Sequence, residues 1–170
     1  MEPDARDPTW RYPWPAGVRM AEDLASLQEW RGLRVLELGC GQGLVGQAAL
    51  AAGASQVTFT DISEEPLDHL KIRLGSNSCA RMVLHAWGEP VPDCPYDVVV
   101  GGDILYRPAY FDRLVHSIHQ ALKPGGEALL GDPRTELEPE LGAMLRAQGF
   151  SVRTERRAGP YTLLRAQRAR

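Results

Sequence analysis

Apolar positions along this chain fall into two alternating rhythms. Short runs rich in Val, Leu, Ile and aromatic residues, at 33–38, 56–60, 81–86, 96–102 and 127–131, have the length and β-branched content of strands. The run 96–102 (YDVVVGG) is continuously apolar, as a fully buried parallel strand is. Between these runs the spacing changes to three or four. Val18, Ala21, Leu24, Ala25 and Leu27 predict a helix reaching about Trp30, with proline near its first turn and Arg31-Gly32 as its stop. Small apolar residues from Leu44 predict a helix pressed closely on the sheet and closed by Gly53. Leu67, Leu70 and Leu74 share a face of a third helix, ended by residues 75–78. A fourth helix is expected over 108–122, followed by the turn Lys123-Pro124-Gly125-Gly126, and a fifth over 137–148, stopped by Gly149. Runs 150–154 and 161–166, joined through Ala158-Gly159-Pro160, read as an antiparallel hairpin.

Strands alternating with helices predict a doubly wound α/β fold with a mostly parallel seven-stranded sheet ending in an antiparallel hairpin. There is no internal repeat. Residues 1–13, with three prolines, read as an irregular arm, and 14–170 as one domain. At 170 residues, 44% hydrophobic and 24% charged, the chain is of the size and balance of a single-core globule. No apolar run approaches a membrane span, and the polar start MEPDARDPTW is unlike a signal peptide, so a cytoplasmic protein without membrane contact is expected. Cys40, Cys79 and Cys94 are odd in number and lack C-x-x-C spacing, which argues against a disulfide framework or zinc site and for buried or half-buried free thiols. The net charge of −3 hides a polarity: residues 151–170 hold six arginines against one glutamate. Such a strip can meet an acidic protein or a nucleic acid, but a solvated sheet edge blunted by charge explains it more simply.

The candidate chemistry centres on LRVLELGCGQGLVG, residues 33–46. A strand runs into glycines at 39, 41, 43 and 46, just where a helix begins, leaving backbone N–H groups open to a ligand. Gly41 to Gly46 also fits the G-x-G-x-x-G pattern of dinucleotide enzymes, a weak match alone. Glu37 argues otherwise: its carboxylate suits a cationic or amine-bearing ligand and repels a pyrophosphate. The sheet, moreover, takes up the whole chain and leaves nothing for a dehydrogenase's substrate domain. Asp61, about 20 residues past the glycines at a strand end, sits where doubly wound folds hold ribose hydroxyls, with helix capping as the alternative. Asp103 to Tyr106 follow the apolar strand directly, where open α/β sheets carry catalytic groups. His116 and His119 have no third ligand nearby and read as surface or boundary residues, so no metal is expected.

The pattern E-x-G-x-G-x-G resembles the first motif of the class I, Rossmann-like S-adenosylmethionine-dependent methyltransferases, and the KPGG preceding the fifth strand is similar to theirs. YPWPAG (12–17), WGE (87–89), D-x-x-Y (103–106) and GDPR (131–134) together resemble the seven-strand protein-lysine methyltransferases, in particular the group that includes the enzyme acting on the β-subunit of electron transfer flavoprotein. The likeness covers residues 12–135. It implies S-adenosyl-L-methionine as cofactor and no metal, with Trp14, Glu37, Gly39, Gly41, Gly43, Asp61, Trp87 and Gly102 in the cofactor site and Asp103 and Tyr106 in catalysis. Trp14 is either a wall of the site or a core aromatic. Trp87 is either a plate against adenine or core. Many relatives place an acidic residue for the adenine amino group where this chain has His85-Ala86, a contact Ala86 cannot make. The implied activity is N-methylation of lysine on a protein substrate, with nucleic acid disfavoured as a partner; a monomer is the expectation, but no motif fixes the oligomeric state. Two alternatives stand beside it: a small-molecule N- or O-methyltransferase, which would need an enclosed pocket built by inserted helices, and a non-catalytic cofactor-binding or partner module.

Overall fold

The strand that feeds the glycine loop, β1 (Arg34–Leu38), lies inside a seven-stranded sheet, and every other element is placed relative to it. A computed structural model describes residues 8–159 and 161–170; most of the expected arm, residues 1–7, lies outside the described residues. After a 3-10 turn at Pro8–Arg11, the chain runs α1 (Pro15–Leu27), β1, α2 (Leu44–Ala51), β2 (Gln56–Asp61), α3 (Glu64–Leu74), β3 (Ala80–Leu84) and β4 (Tyr96–Gly102). It continues through α4 (Phe111–Ala121), β5 (Leu122–Asp132), α5 (Glu138–Ala147), β6 (Phe150–Arg157) and β7 (Tyr161–Arg168). The sheet order is β3-β2-β1-β4-β5-β7-β6. Pairings from β3 to β5 are parallel, and β7 inserts antiparallel between β5 and β6.

From β1 the chain first moves outward on one side, to β2 and β3, and then returns to pair β4 on the other. This reversal opens a crevice beyond the C-terminal ends of β1 and β4, the place where such sheets bind ligands. Two apolar layers close over the faces. Leu36, Leu38, Phe111, Leu114, Ile118, Leu141 and Leu145 are buried on the side of α4 and α5, and Met20, Leu24, Val35, Val45, Phe59 and Leu70 on the side of α1, α2 and α3. Gly43, at φ 67°, caps α2 in the left-handed region, and a Cβ there would come 2.8 Å from Leu70. Only glycine lets the loop turn while α3 packs against it.

Several boundaries differ from expectation, each for a physical reason. The first helix ends at Leu27, and the expected terminal residue Trp30 is instead buried beyond it, its indole N–H donating to the Leu24 carbonyl at 2.8 Å. The Leu24 carbonyl also accepts the Gln28 N–H at 3.2 Å, so the indole adds a second donor at the last turn. The KPGG turn is a bulge inside a longer β5: Tyr96 pairs with Leu122 and Val98 with Glu127, so residues 123–126 are accommodated in one irregular step. β3 stops at Leu84, leaving His85 and Ala86 on the loop beyond it. Cys40 is buried and Cys79 half-buried, but Cys94 is exposed, against the expectation for it. His116 is exposed, and His119 stands edge-on to Phe150 with ring centres 6.0 Å apart.

The arginine strip forms the outer hairpin, with β6 as the edge strand. Half of it is structural: Arg165 is buried between Glu127 and Glu155, Arg157 pairs with Asp23, and Arg168 donates to the carbonyls of His119 and Leu122. Arg153, Arg156 and Arg170 face solvent, in keeping with a charged edge. Among the described residues no helix is long and apolar enough to cross a membrane.

Candidate active site

The loops after β1, β2, β3 and β4, together with the segment ahead of α1, enclose a cavity of about 410 Å³. That volume suits a ligand of nucleoside size. Trp14, Glu37, Gly39, Gly41, Asp61, Trp87, Gly102, Asp103 and Tyr106 all line it. Gly43 does not; its place is the α2 packing described above.

Glu37 is buried, and its carboxylate accepts the Gly46 N–H at 2.9 Å, across the mouth of the glycine loop. Burial pushes its pKa from the ordinary 4.5 to about 8, against the lowering pull of the Gly46 and Val45 N–H groups. Asp61 braces the same loop: one oxygen accepts the Gly41 N–H at 3.0 Å and the other the Ser63 N–H at 3.1 Å. Burial raises its pKa as well. Asp61 therefore braces both the glycine loop and the entry to α3, and it lines the cavity.

Asp103 has an unusual backbone for a residue other than glycine, with φ at 57°. Its N–H donates to the Gly131 carbonyl at 2.8 Å, and its carboxylate turns back to accept the Gly17 N–H at 2.7 Å in the first turn of α1. That approach requires Gly102, where a Cβ would stand 3.0 Å from the Gly17 Cα. Burial pushes the Asp103 carboxyl up, the Gly17 N–H pulls it down, and the charge of Asp132 raises it again. The tight turn that follows is held by Asp132, 3% exposed, which accepts the Leu105 N–H at 2.9 Å and pairs with Arg134 at 2.5 Å. Tyr106 emerges from this turn half exposed, with the guanidiniums of Arg107 and Arg134 at 5.4 and 5.9 Å from its ring centre.

The segment ahead of α1 forms another wall. Trp14 is the N-cap of α1, partly exposed, and its indole donates to the Thr9 carbonyl at 3.0 Å. Trp10 lies on the glycine loop, and its indole N–H and the Arg11 guanidinium converge on Glu65 of α3 at 3.0 and 2.7 Å. Trp87 packs partly against the core beside Gly39, and the Gly88 N–H after it donates to Ser117 Oγ at 2.9 Å.

The sequence family described as "Methyltransferase domain" matches residues 36–128, the stretch from β1 into β5 that builds most of this cavity. The chain belongs to this methyltransferase family. It is 31% identical over 130 residues to the electron transfer flavoprotein beta subunit lysine methyltransferase of Xenopus laevis, with 75% of this chain and 53% of that protein covered. It is 30% identical over 165 residues to the ribosomal protein L11 methyltransferase of Synechococcus sp. (strain RCC307), covering 89% of this chain and 52% of that one. The chain thus spans about half the length of the curated relatives it matches. Among solved structures, the ribosomal protein L11 methylase of Lactobacillus delbrueckii subsp. bulgaricus superposes with a TM-score of 0.73 at 23% identity, covering 89% of this chain and 78% of that one. The fold is that of the class I methyltransferases, and S-adenosylmethionine is their cofactor.

The residues present in this methyltransferase fit such a cofactor. Asp61, Glu89 and Asp103 give the cavity a carboxylate lining suited to a cation, and Glu37, its pKa raised to about 8, adds a carboxyl beside them. His85 lines it too, 4% exposed, with an Nε2 that has no hydrogen-bond partner. Burial lowers its pKa, so the ring is neutral and presents one donor and one acceptor nitrogen. The Ala86 N–H beside it lies 3.5 Å from a Glu89 carboxylate oxygen. Sequence reasoning missed Trp10, Arg107, Asp132 and Arg134. GDPR carried a signal for two of these, but the roles of Asp132 and Arg134 follow from the pairing of β4 with β5.

Proposed function

We propose that the protein is an S-adenosylmethionine-dependent N-methyltransferase acting on lysine side chains of a protein substrate. The observation that carries this reading is the pairing of a buried carboxylate, Asp103, with a half-exposed Tyr106 three residues on, both lining one cavity. The likeness to protein methyltransferases at about 30% identity supports it.

When bound, S-adenosylmethionine supplies an electrophilic methyl group on a sulfonium. The residues Glu37, Gly39, Gly41, Asp61, Trp87 and Gly102 would hold it, with Trp14 as a side wall, and Asp103 and Tyr106 would receive the acceptor. Lysine at pH 7 lies about 3.4 units below its pKa, so freeing its lone pair costs about 4.6 kcal/mol. A carboxylate beside the ammonium favours the charged form and adds to that cost. Asp103 therefore acts by capture and orientation: a carboxylate has about four lone-pair sites, so accepting N–H bonds from α1 leaves capacity for the acceptor nitrogen. Tyr106 aligns the nitrogen from the mouth side, and desolvation on entry lowers the lysine pKa and lets its proton leave to water.

Incubating the protein with radiolabelled S-adenosylmethionine and cell-extract proteins, then mapping the label by mass spectrometry, tests this. Label on lysine of one or a few proteins is expected. Label confined to the small-molecule fraction would overturn the protein-lysine reading.

A further inference from the structure

The sheet order sets the two ends of the cavity. With β4 beside β1 on one side, and β2 and then β3 on the other, the lining runs from Asp103 and Tyr106, past the glycine loop, to the loops after β2 and β3. A cofactor whose methyl group meets an acceptor beside Asp103 lies along the glycine loop, so its base comes to the far end. The edge of adenine carries an amino donor next to a ring-nitrogen acceptor. A wall that reads it needs an acceptor next to a donor.

The polar side chains lining the far end are those of Asp61, Ser63, His85 and Glu89. Asp61 is tied to the glycine loop through the Gly41 N–H, and Ser63 stands at the N-cap of α3. Glu89 is exposed, so water competes for its carboxylate. Of the four, only His85 has a buried side-chain atom without a hydrogen-bond partner, Nε2. Leaving such an atom unpaired costs free energy that a ligand's edge recovers. The residue is fixed in place, its backbone N–H donating to the Asp61 carbonyl at 2.9 Å, while the last torsion of a histidine is soft and lets the ring turn toward a base. Burial keeps the ring neutral, against the raising pull of Glu89, and a neutral imidazole retains one acceptor nitrogen. Beside it, the Ala86 N–H is a donor only loosely engaged, 3.5 Å from a Glu89 oxygen. We propose that the His85 imidazole accepts the adenine amino group and makes the cofactor site selective for a 6-aminopurine. This concerns the cofactor and holds whatever the methyl acceptor is.

The test is calorimetry with S-adenosylhomocysteine and with its analogue carrying hydrogen in place of the 6-amino group. Neither ligand has a methyl group to transfer, so the outcome is separate from that of the lysine experiment. The native protein is expected to bind the analogue about tenfold more weakly or worse, because a buried acceptor is then left unpaired. His85→Leu should bind the two ligands within about threefold of each other, having lost affinity for S-adenosylhomocysteine alone. His85→Gln, which keeps an acceptor, should restore part of the preference. Glu89→Gln should leave the preference as it is. Equal binding of the two ligands by the native protein would overturn the proposal, as would a full preference in His85→Leu. Loss of the preference in Glu89→Gln would do the same, by assigning the amino group to that carboxylate. If His85→Leu does not fold, nitrogen NMR of the native imidazole decides: its ring-nitrogen shifts should respond to S-adenosylhomocysteine more than to the analogue, and an equal response to both would overturn the assignment.

Discussion

Gly17, in the first turn of α1, donates its backbone N–H to the Asp103 carboxylate at 2.7 Å and so ties the segment ahead of the sheet to the end of its β4 strand. Asp103 therefore does more than face an acceptor: it caps a helix that begins far from it in sequence. Its two roles separate by substitution. Asparagine keeps an oxygen for the Gly17 N–H and tolerates the left-handed backbone, so Asp103→Asn should retain its melting temperature and cofactor affinity. It should lose on the order of 100-fold in kcat/KM, and Tyr106→Phe, which keeps the ring between its guanidiniums, should lose less. Asp103→Ala loses the cap as well and should be less stable by about 1–3 kcal/mol. Steady-state kinetics and thermal melts check each; full turnover in Asp103→Asn would remove the residue from the mechanism.

The raised pKa of Glu37 predicts how stability changes with pH. A carboxyl whose native pKa, about 8, exceeds its ordinary 4.5 binds more protons folded than unfolded between those values. Stability should therefore decline across that window as pH rises, and level off above it. The lowered pKa of His85 acts with the opposite sign, favouring the fold as pH rises toward 6.5, so the Glu37 effect stands clear of it from 6.5 to 8. Glu37→Gln mimics the neutral carboxyl and keeps an acceptor for Gly46. Urea midpoints at pH 6.5, 7.2 and 8 should fall in the native protein and fall less in the variant; parallel slopes would place the titrating group elsewhere.

The strands that build the crevice were legible because parallel strands buried on both faces leave continuous apolar runs, and β4 matches its expected span at both ends. Asp61, Asp103 and the loop glycines were legible because each lies directly beyond such a run. Trp30 was misread because it continues the helical spacing of α1, and only packing reveals that its indole folds back onto the last turn. The β5 bulge depends on pairing with β4, which a local pattern does not contain. For the same reason Asp132 and Arg134 gave a motif without a role: what they hold, the turn at Leu105 and the ring of Tyr106, belongs to another strand end.

Asp61 braces the glycine loop through Gly41 and Ser63 with both carboxylate oxygens, so loss of affinity in a variant alone does not identify a ribose contact. A double-mutant cycle does. S-adenosylhomocysteine and its 2′-deoxy analogue should differ in affinity for the native protein and differ less for Asp61→Asn, with a coupling of about 1 kcal/mol or more. Asp61→Ala should weaken S-adenosylhomocysteine binding by about 1–3 kcal/mol. Zero coupling by calorimetry would leave Asp61 as a brace of the loop alone.

The 3-10 turn at Pro8–Arg11 should set how fast the cofactor leaves. Trp10 and Arg11 reach Glu65 at 3.0 and 2.7 Å, Gln42 of the glycine loop donates to the Arg11 carbonyl at 2.5 Å, and Thr9 and Trp10 wall the cavity. A ligand seated between this segment and the glycine loop departs more readily once the segment lifts. The latch itself is exposed, with Arg11 and Glu65 more than half accessible, so its loss should loosen the segment without unsettling the core. Glu65→Ala removes the acceptor of both bonds and should raise the dissociation rate of S-adenosylhomocysteine by about three- to tenfold, with the melting temperature of the free protein nearly unchanged. The hydrogen bonds from Trp10 and Arg11 hold the Glu65 pKa below its ordinary 4.5, so the latch is charged at any higher pH and the native rate should not respond to pH through this residue above 5. Stopped-flow fluorescence, with the cavity tryptophans Trp10, Trp14 and Trp87 as reporters, measures that rate. An unchanged rate in Glu65→Ala would mean that the ligand leaves by a path the segment does not cover.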